Sequence, residues 1–303
     1  MKYIDIHTHT NHSDGTSTVI NSLQCAEELG LLVFSVSDHN TVSAYREIAE
    51  NRELFSGKIL PSVELSTIFD MESIEILGYG IDLVCIDDFI KTNYKGGTRD
   101  GWLFELKTIV DSVLAAGLVV SDEYMRRVEA GDPSLKVSFG GAKAVLLEEL
   151  KKFPENAMLF GGADILANMD RQVFNRRCLS DPKSPMYCDK SLLFPSMPEV
   201  VEAIHKAGGL CFLAHAFSYS SQIPKKLDVL AKMLDGFECH YGTFTKEQKA
   251  FLTDYCDKNG LLKSGGSDFH GLDMRPKNRM GYSVGERIEY DLCSPWLDKM
   301  TFV

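Results

Sequence analysis

Short apolar runs alternate with amphipathic stretches at both ends of the chain, and this alternation is missing from the middle. Lys2–Ile6 reads as a short strand ending in polar residues. Helical spacing over Ser22–Leu29 stops at Gly30. Leu31–Val36 is a buried-strand pattern that runs into Ser37, Asp38 and His39. Val42–Phe55 reads as a helix closed by Gly57, Ile59–Leu65 as a strand carrying Glu64, and Ser73–Tyr79 as a strand carrying Glu75.

From Lys95 to Lys190 the periodicity is mainly helical. The segments are Trp102–Ala116, Asp122–Glu129, Ala142–Lys152 and a short piece in Gly161–Met169, with a turn-rich exit at 181–185. Alternation then resumes. It gives a helix over Glu199–Ala207, strands over Leu210–Ala214 and Gly236–Cys239, and a helix opened by a Thr245/Gln248 capping box and running to Lys258. A last strand, Gly260–Ser264, leads into Gly265, Gly266, Ser267 and Asp268. Strand–helix alternation predicts an α/β fold with a parallel sheet, open or closed, interrupted by a helical insertion. The expected division is 1–95 with 191–303 as the sheet domain and 96–190 as the insertion.

Composition changes this picture little. Apolar residues make up 44% and charged residues 25%, ordinary for a globular protein. No uncharged apolar run reaches the roughly 18 residues a bilayer crossing takes. The N-terminus lacks a signal-peptide pattern, so a cytoplasmic protein is expected. The eight cysteines are scattered without Cys-x-x-Cys spacing, which excludes a zinc ribbon and suggests free thiols. A formal net charge of −11 argues against long duplex nucleic acid as a partner. A phosphorylated substrate would need local cations, which bound metals supply.

The candidate chemistry lies at the strand ends. His7 and His9 close the first strand, Asp14 follows in the next loop, and His39 closes the second. Glu64, Glu75 and His215 belong to the third, fourth and fifth strands, and Asp268 and His270 follow the last. A His-x-His pair on a strand puts both rings on one face. Imidazoles with carboxylates suit manganese, iron or zinc. Nine candidate ligands exceed the roughly four donors of one tetrahedral ion, so two or three divalent ions are expected. Taken singly, each residue has an ordinary explanation as a turn or strand-end residue. Recurrence at successive strand ends favours a shared centre.

Tyr3–Thr10 with Ser13–Thr16, Ser37–Asn40, Val63–Leu65, Phe212–His215 and Gly266–Gly271 resemble, in order, the motifs of the polymerase-and-histidinol-phosphatase (PHP) family. The resemblance implies a distorted (β/α)7 barrel, a trinuclear metal centre and hydrolysis of phosphate esters. On that resemblance His7, His9, Glu64 and Asp268 hold one ion. Glu64, His215 and Glu75 hold a second, and Asp14, His39 and His270 a third. Two positions depart from the pattern: Glu75 stands where many members have histidine, and Ala216 where proline usually follows the fifth-strand histidine. The resemblance also points to small substrates: a nucleoside monophosphate, a 3′,5′-bisphosphate or a cyclic sugar phosphate.

The expected nucleophile is a water bridging two cations. His240 is a candidate leaving-group acid. His12, Arg176, Arg177 and Lys183 are candidate substrate contacts, since arginine forks match phosphate oxygens. Arg275 and Lys277 are weaker candidates, and Asp5 and Asp38 are expected to orient the histidines. Three other readings compete: a 5′–3′ exonuclease on short oligonucleotides, a metal-dependent amidohydrolase, and a structural metal-binding domain without turnover.

Overall fold

The computed structural model describes residues 1–98, 101–135, 141–220 and 222–303. The chain divides into two compact units, one formed by 1–67, 74–93 and 196–303, the other by 68–73 and 94–195.

In the first unit, β1 (Tyr3–Asp5), β2 (Leu31–Phe34) and β3 (Lys58–Ile59) form a parallel three-stranded sheet in that order. A second sheet runs β4 (Ser62–Phe69), β5 (Glu72–Tyr79), β6 (Leu210–Leu213), β7 (Gly236–Tyr241) and β8 (Leu262–Gly266). Leu60 and Pro61 split the strand expected over Ile59–Leu65 into β3 and β4. Proline cannot donate to a ladder, so a break there is physically natural. The pairs β6–β7 and β7–β8 are parallel. The pair β5–β6 is antiparallel, which corrects the expectation of an all-parallel sheet. The cause is local. Only Asp70 and Met71 separate β4 from β5, both with positive φ, and a parallel return needs a crossover of about a dozen residues or more.

Isolated bridges join the two sheets. Thr8 pairs with Phe269 beyond β1 and β8, and His39 pairs with Glu64 beyond β2 and in β4. His9 N–H donates to the Phe269 carbonyl (2.8 Å) and Asp268 N–H to the His7 carbonyl (2.8 Å). The ladders themselves do not close into a continuous barrel.

Most of the predicted helices form close to their expected bounds. Val19–Glu28 is capped by Thr18, and Lys246–Asn259 has the Thr245/Gln248 capping box and ends on Gly260 in the left-handed region. The helix Leu83–Asn93 and the C-terminal hairpin Tyr282–Ser283/Glu286–Arg287 are additions that the sequence pattern did not reveal. The core of this unit packs Ile4, Val33, Leu77, Tyr79 and Phe212 against Trp296 and Leu297. None of the described helices is long and apolar enough to cross a membrane.

The second unit is helical, with Trp102–Ala115, Asp122–Ala130, Gly141–Lys151 and the short Ala163–Ala167. Its core includes Leu106, Val110, Tyr124, Leu150 and Phe174. Glu149 is buried, accepts from the Ser121 N–H and hydroxyl, and pairs with Lys152.

Candidate metal centre

The first unit brings all nine candidate ligands together around one carboxylate. Glu64 is fully buried, with Oε2 3.4 Å from His7 Nε2, 3.2 Å from His9 Nε2 and 3.1 Å from His39 Nδ1. Its Oε1 lies 2.9 Å from His215 Nε2. Asp268 Oδ1 completes the first group, 3.5 Å from His7 Nε2 and 3.1 Å from His9 Nε2. On a second side, Asp14 Oδ1 lies 3.0 Å from His270 Nε2, 3.7 Å from His39 Nε2 and 4.0 Å from His9 Nδ1. On a third side, Glu75 carboxylate oxygens lie 3.5 Å from His39 Nδ1 and 3.4 Å from His215 Nε2. The groups His7/His9/Glu64/Asp268, His9/Asp14/His39/His270 and His39/Glu64/Glu75 each present donor atoms close enough to share an ion.

These separations fit metal ligation. Four donors about 2.1 Å from a tetrahedral ion lie about 3.4 Å apart, and the pairs given for the first group run from 3.1 to 3.5 Å. Several of the facing atoms also lack a partner: among the described residues His9 Nδ1, Asp14 Oδ1, Glu64 Oε2 and His270 Nε2 are buried without a hydrogen bond. Buried polar atoms are seldom left so, and an ion would satisfy them.

Charge in the cluster is unbalanced in the way a cation site requires. Burial alone would lower the His9 imidazole, but the Asp268 and Glu64 carboxylates push it up to about 10. Burial would raise the Asp14 carboxyl, yet the His39 and His270 charges hold it well below the usual carboxylate range.

Backbone geometry explains how these side chains converge. His215 (φ 29°) and Asp268 (φ 54°) are non-glycine residues in the left-handed region, a costly state found at sites that the surrounding fold over-determines. Gly266 is required where β8 passes His7: a Cβ there would lie 2.1 Å from His7 Cβ. His270 Nδ1–H donates to the Asp268 carbonyl (2.9 Å), which leaves Nε2 as the ring atom able to take a ligand role.

The residue missed by sequence reasoning is Glu238. It is fully buried in β7, where Oε1 accepts from His7 Nδ1–H (2.8 Å) and Oε2 from the His215 backbone N–H (2.8 Å). One carboxylate therefore sets the tautomer of His7 and anchors the strained His215. The available signal was a carboxylate inside an otherwise apolar strand, which must find partners when buried. Asp5 and Asp38, expected to orient histidine rings, hold backbone and hydroxyl groups instead. Asp5 accepts from Ser267 N–H and Oγ–H and from Gly281 N–H, and burial pushes its carboxyl up to about 6. Asp38 accepts from Thr10 N–H and Oγ–H and from Ser13 Oγ–H. Replacing Glu238 with Gln leaves one acceptor where two donors converge. The expected result is a fall in metal affinity of about 10- to 100-fold, read by competition with a chromophoric chelator.

His240 does not join the cluster. A bulge between Glu238 and His240 breaks the alternation of β7, so Glu238 and Tyr241 serve the site. The charges acting on His240 are Lys249, Glu286 and Lys263, and burial followed by Lys249 lowers it to about 3. A lowered imidazole is harder to protonate, which weighs against the role of leaving-group acid expected for His240. It also sets a pH dependence. The unfolded chain takes up this proton near pH 6.5 and the folded chain only near 3, so stability falls as pH drops below about 6.5. A His240→Asn variant is expected to show a shallower loss of melting temperature between about pH 6.5 and 4.5.

The other substrate candidates have different surroundings. His12 is 20% exposed and bonded to Ser43 Oγ (2.8 Å) and Glu47 Oε2 (3.0 Å). Arg176, Arg177 and Lys183 belong to the second unit, are exposed, and form no ion pair among the described residues.

No family model matches the chain. It is 26% identical over 277 residues to a 5′-3′ exoribonuclease of Haemophilus influenzae, covering 89% of this chain and 90% of that protein. It is 25% identical over 275 residues to a 3′,5′-nucleoside bisphosphate phosphatase of Chromobacterium violaceum, covering 89% and 88%. In structure it resembles a candidate metal-dependent phosphoesterase from Bifidobacterium adolescentis, with a TM-score of 0.64, 24% identity and coverage of 99% and 97%.

Proposed function

We propose that this chain is a metal-dependent phosphoesterase of the PHP type that hydrolyses a small nucleoside phosphate, a 3′,5′-bisphosphate foremost. The observation that carries the reading is the convergence of four imidazoles on the single buried carboxylate of Glu64. A carboxylate so placed is suited to bridge two ions. His7, His9, Glu64 and Asp268 would hold one ion, Glu64, Glu75 and His215 a second, and Asp14, His39 and His270 a third. Glu75 approaches the cluster with its carboxylate, which supports its taking the position where histidine is usual. The seven strands β1, β2 and β4 to β8, with the bridges at Thr8–Phe269 and His39–Glu64, support a distorted barrel.

Bound divalent manganese, iron or zinc would supply a nucleophile at neutral pH and neutralise charge on the transferred group. The chain's own residues prepare for that. Glu238 keeps His7 Nε2 free, the Asp268 carbonyl keeps His270 Nε2 free, and Tyr241 Oη–H (2.7 Å) and Arg275 engage Asp268 Oδ2. Arg176, Arg177 and Lys183 are the proposed contacts of a second phosphate, with the helical insertion at 96–190 as the source of specificity.

A second reading, 5′–3′ exonuclease on short oligonucleotides, is favoured by the likeness to the Haemophilus influenzae exoribonuclease. Turnover against chain length separates the two. A bisphosphatase releases phosphate from the mononucleotide and slows with each added residue. Rates that rise with oligonucleotide length would move the assignment to the exonuclease. Turnover of amides or lactones and not of phosphate esters would indicate the amidohydrolase.

A further inference from the structure

We propose that Arg275 grips a phosphoryl oxygen of the substrate at the edge of the cluster, an inference that rests on the phosphoesterase reading above. Arg275 follows His270 in a turn closed by its N–H to the Gly271 carbonyl (3.0 Å). Its Nη1 is paired with Asp268 Oδ2, the oxygen that also receives Tyr241 Oη–H at 2.7 Å. Asp268 is thereby divided in function. Oδ2 is occupied by a cation and a phenol, and Oδ1 is left to face His7, His9 and His270 at 3.5, 3.1 and 3.3 Å.

Pinning a carboxylate would take one or two donors, and a guanidinium carries five in a planar fork. Among the described residues the remaining donors of Arg275 have no hydrogen-bond partner. The side chain is 36% exposed, whereas Asp268 beneath it is 2% exposed. Arg275 is therefore a fixed cation where the cluster meets solvent. A guanidinium stays protonated throughout the working pH range.

A phosphate ester needs such a group here. The cluster holds four carboxylates, Asp14, Glu64, Glu75 and Asp268, and an incoming phosphoryl group adds further negative charge. Arginine presents parallel N–H bonds that match two phosphate oxygens, and lysine presents only a point charge. Arg275 has charge, free donors and exposure at once. Lys277, two residues on, is exposed but forms no ion pair among the described residues.

The test uses the metal-loaded full chain, with metal content measured in each preparation and inorganic phosphate as the probe in calorimetric titration. Wild type is expected to bind phosphate. Arg275→Gln should weaken that binding by about 10- to 100-fold, the value of a charge-assisted hydrogen bond. Arg275→Lys should fall between the two with its metal content intact, and KM for the substrate should rise in the same order. Unchanged phosphate binding in metal-replete Arg275→Gln overturns the proposal. So does loss of phosphate binding in both variants in strict proportion to lost metal, which would mean that Arg275 acts only through Asp268. Wild type that holds its metals yet neither binds phosphate nor turns over an ester would overturn the phosphoesterase reading itself.

Discussion

Replacement of Glu64 with Gln is expected to lower kcat/KM by about 1,000-fold or more, a loss on the scale of about 4 kcal/mol in transition-state stabilisation. Glu64 is the one carboxylate common to two of the ligand groups among the described residues, and His7, His9, His39 and His215 all lie within 3.4 Å of it. The carboxamide has nearly the same volume but no charge, so packing is preserved and the bridge between ions is lost. Burial would raise this carboxyl, yet the surrounding imidazoles, His39 and His7 foremost, hold it well below the usual range. It is thus an anion over the whole working pH range, which is what a bridging ligand must be. Metal analysis of the variant should show a substoichiometric centre, and circular dichroism an unchanged fold. Near-wild-type turnover by Glu64→Gln would remove the bridging role.

The second large effect concerns stability. Chelation is expected to lower the melting temperature by about 10 °C, because saturating one site about 1,000-fold above its Kd contributes about 4 kcal/mol, and each kcal/mol moves a protein of this size by about 2–4 °C. The physical source is the crowding of Asp14, Glu64, Glu75 and Asp268, with Glu238 directly behind them. Without cations these groups rely on protonated imidazoles, and they cannot all be charged together. His9 is pushed up to about 10, while burial followed by His9 pushes the neighbouring His270 down. Calorimetry on one preparation, before and after chelation and again after adding manganese back, reads the effect. Identical melting in all three would show that the cluster does not depend on ions for its stability.

Much of this centre was legible along the chain, because its residues end strands and carry spacings with a mechanical meaning. His7-x-His9 and Asp268-x-His270 are period-two pairs, and period two puts two side chains on one face whatever the tertiary context. Glu75 was legible as a carboxylate in an apolar strand, and the structure puts it 3.4 Å from His215. Features that depend on long-range geometry were not legible. Glu238 and His240 look equivalent in sequence, two residues apart on one strand. The bulge between them sends one into the cluster and the other among Lys249, Lys263 and Glu286. Asp5 and Asp38 precede histidines in sequence, yet each binds loop backbone rather than a ring. The antiparallel hairpin of β4 and β5 was hidden for another reason. Asp70–Met71 is an uncommon pair for a turn with two positive φ values, where Asn-Gly or Asp-Gly is the usual signal.

The most direct test of the central claim is phosphate release from a nucleoside 3′,5′-bisphosphate by the purified chain, followed with manganese, with chelator, and with manganese restored. Turnover that disappears with chelator and returns with the metal is the predicted result, with Glu64→Gln silent under all three conditions. Turnover indifferent to chelator, or none from a folded and metal-replete chain on any phosphate ester, would contradict it.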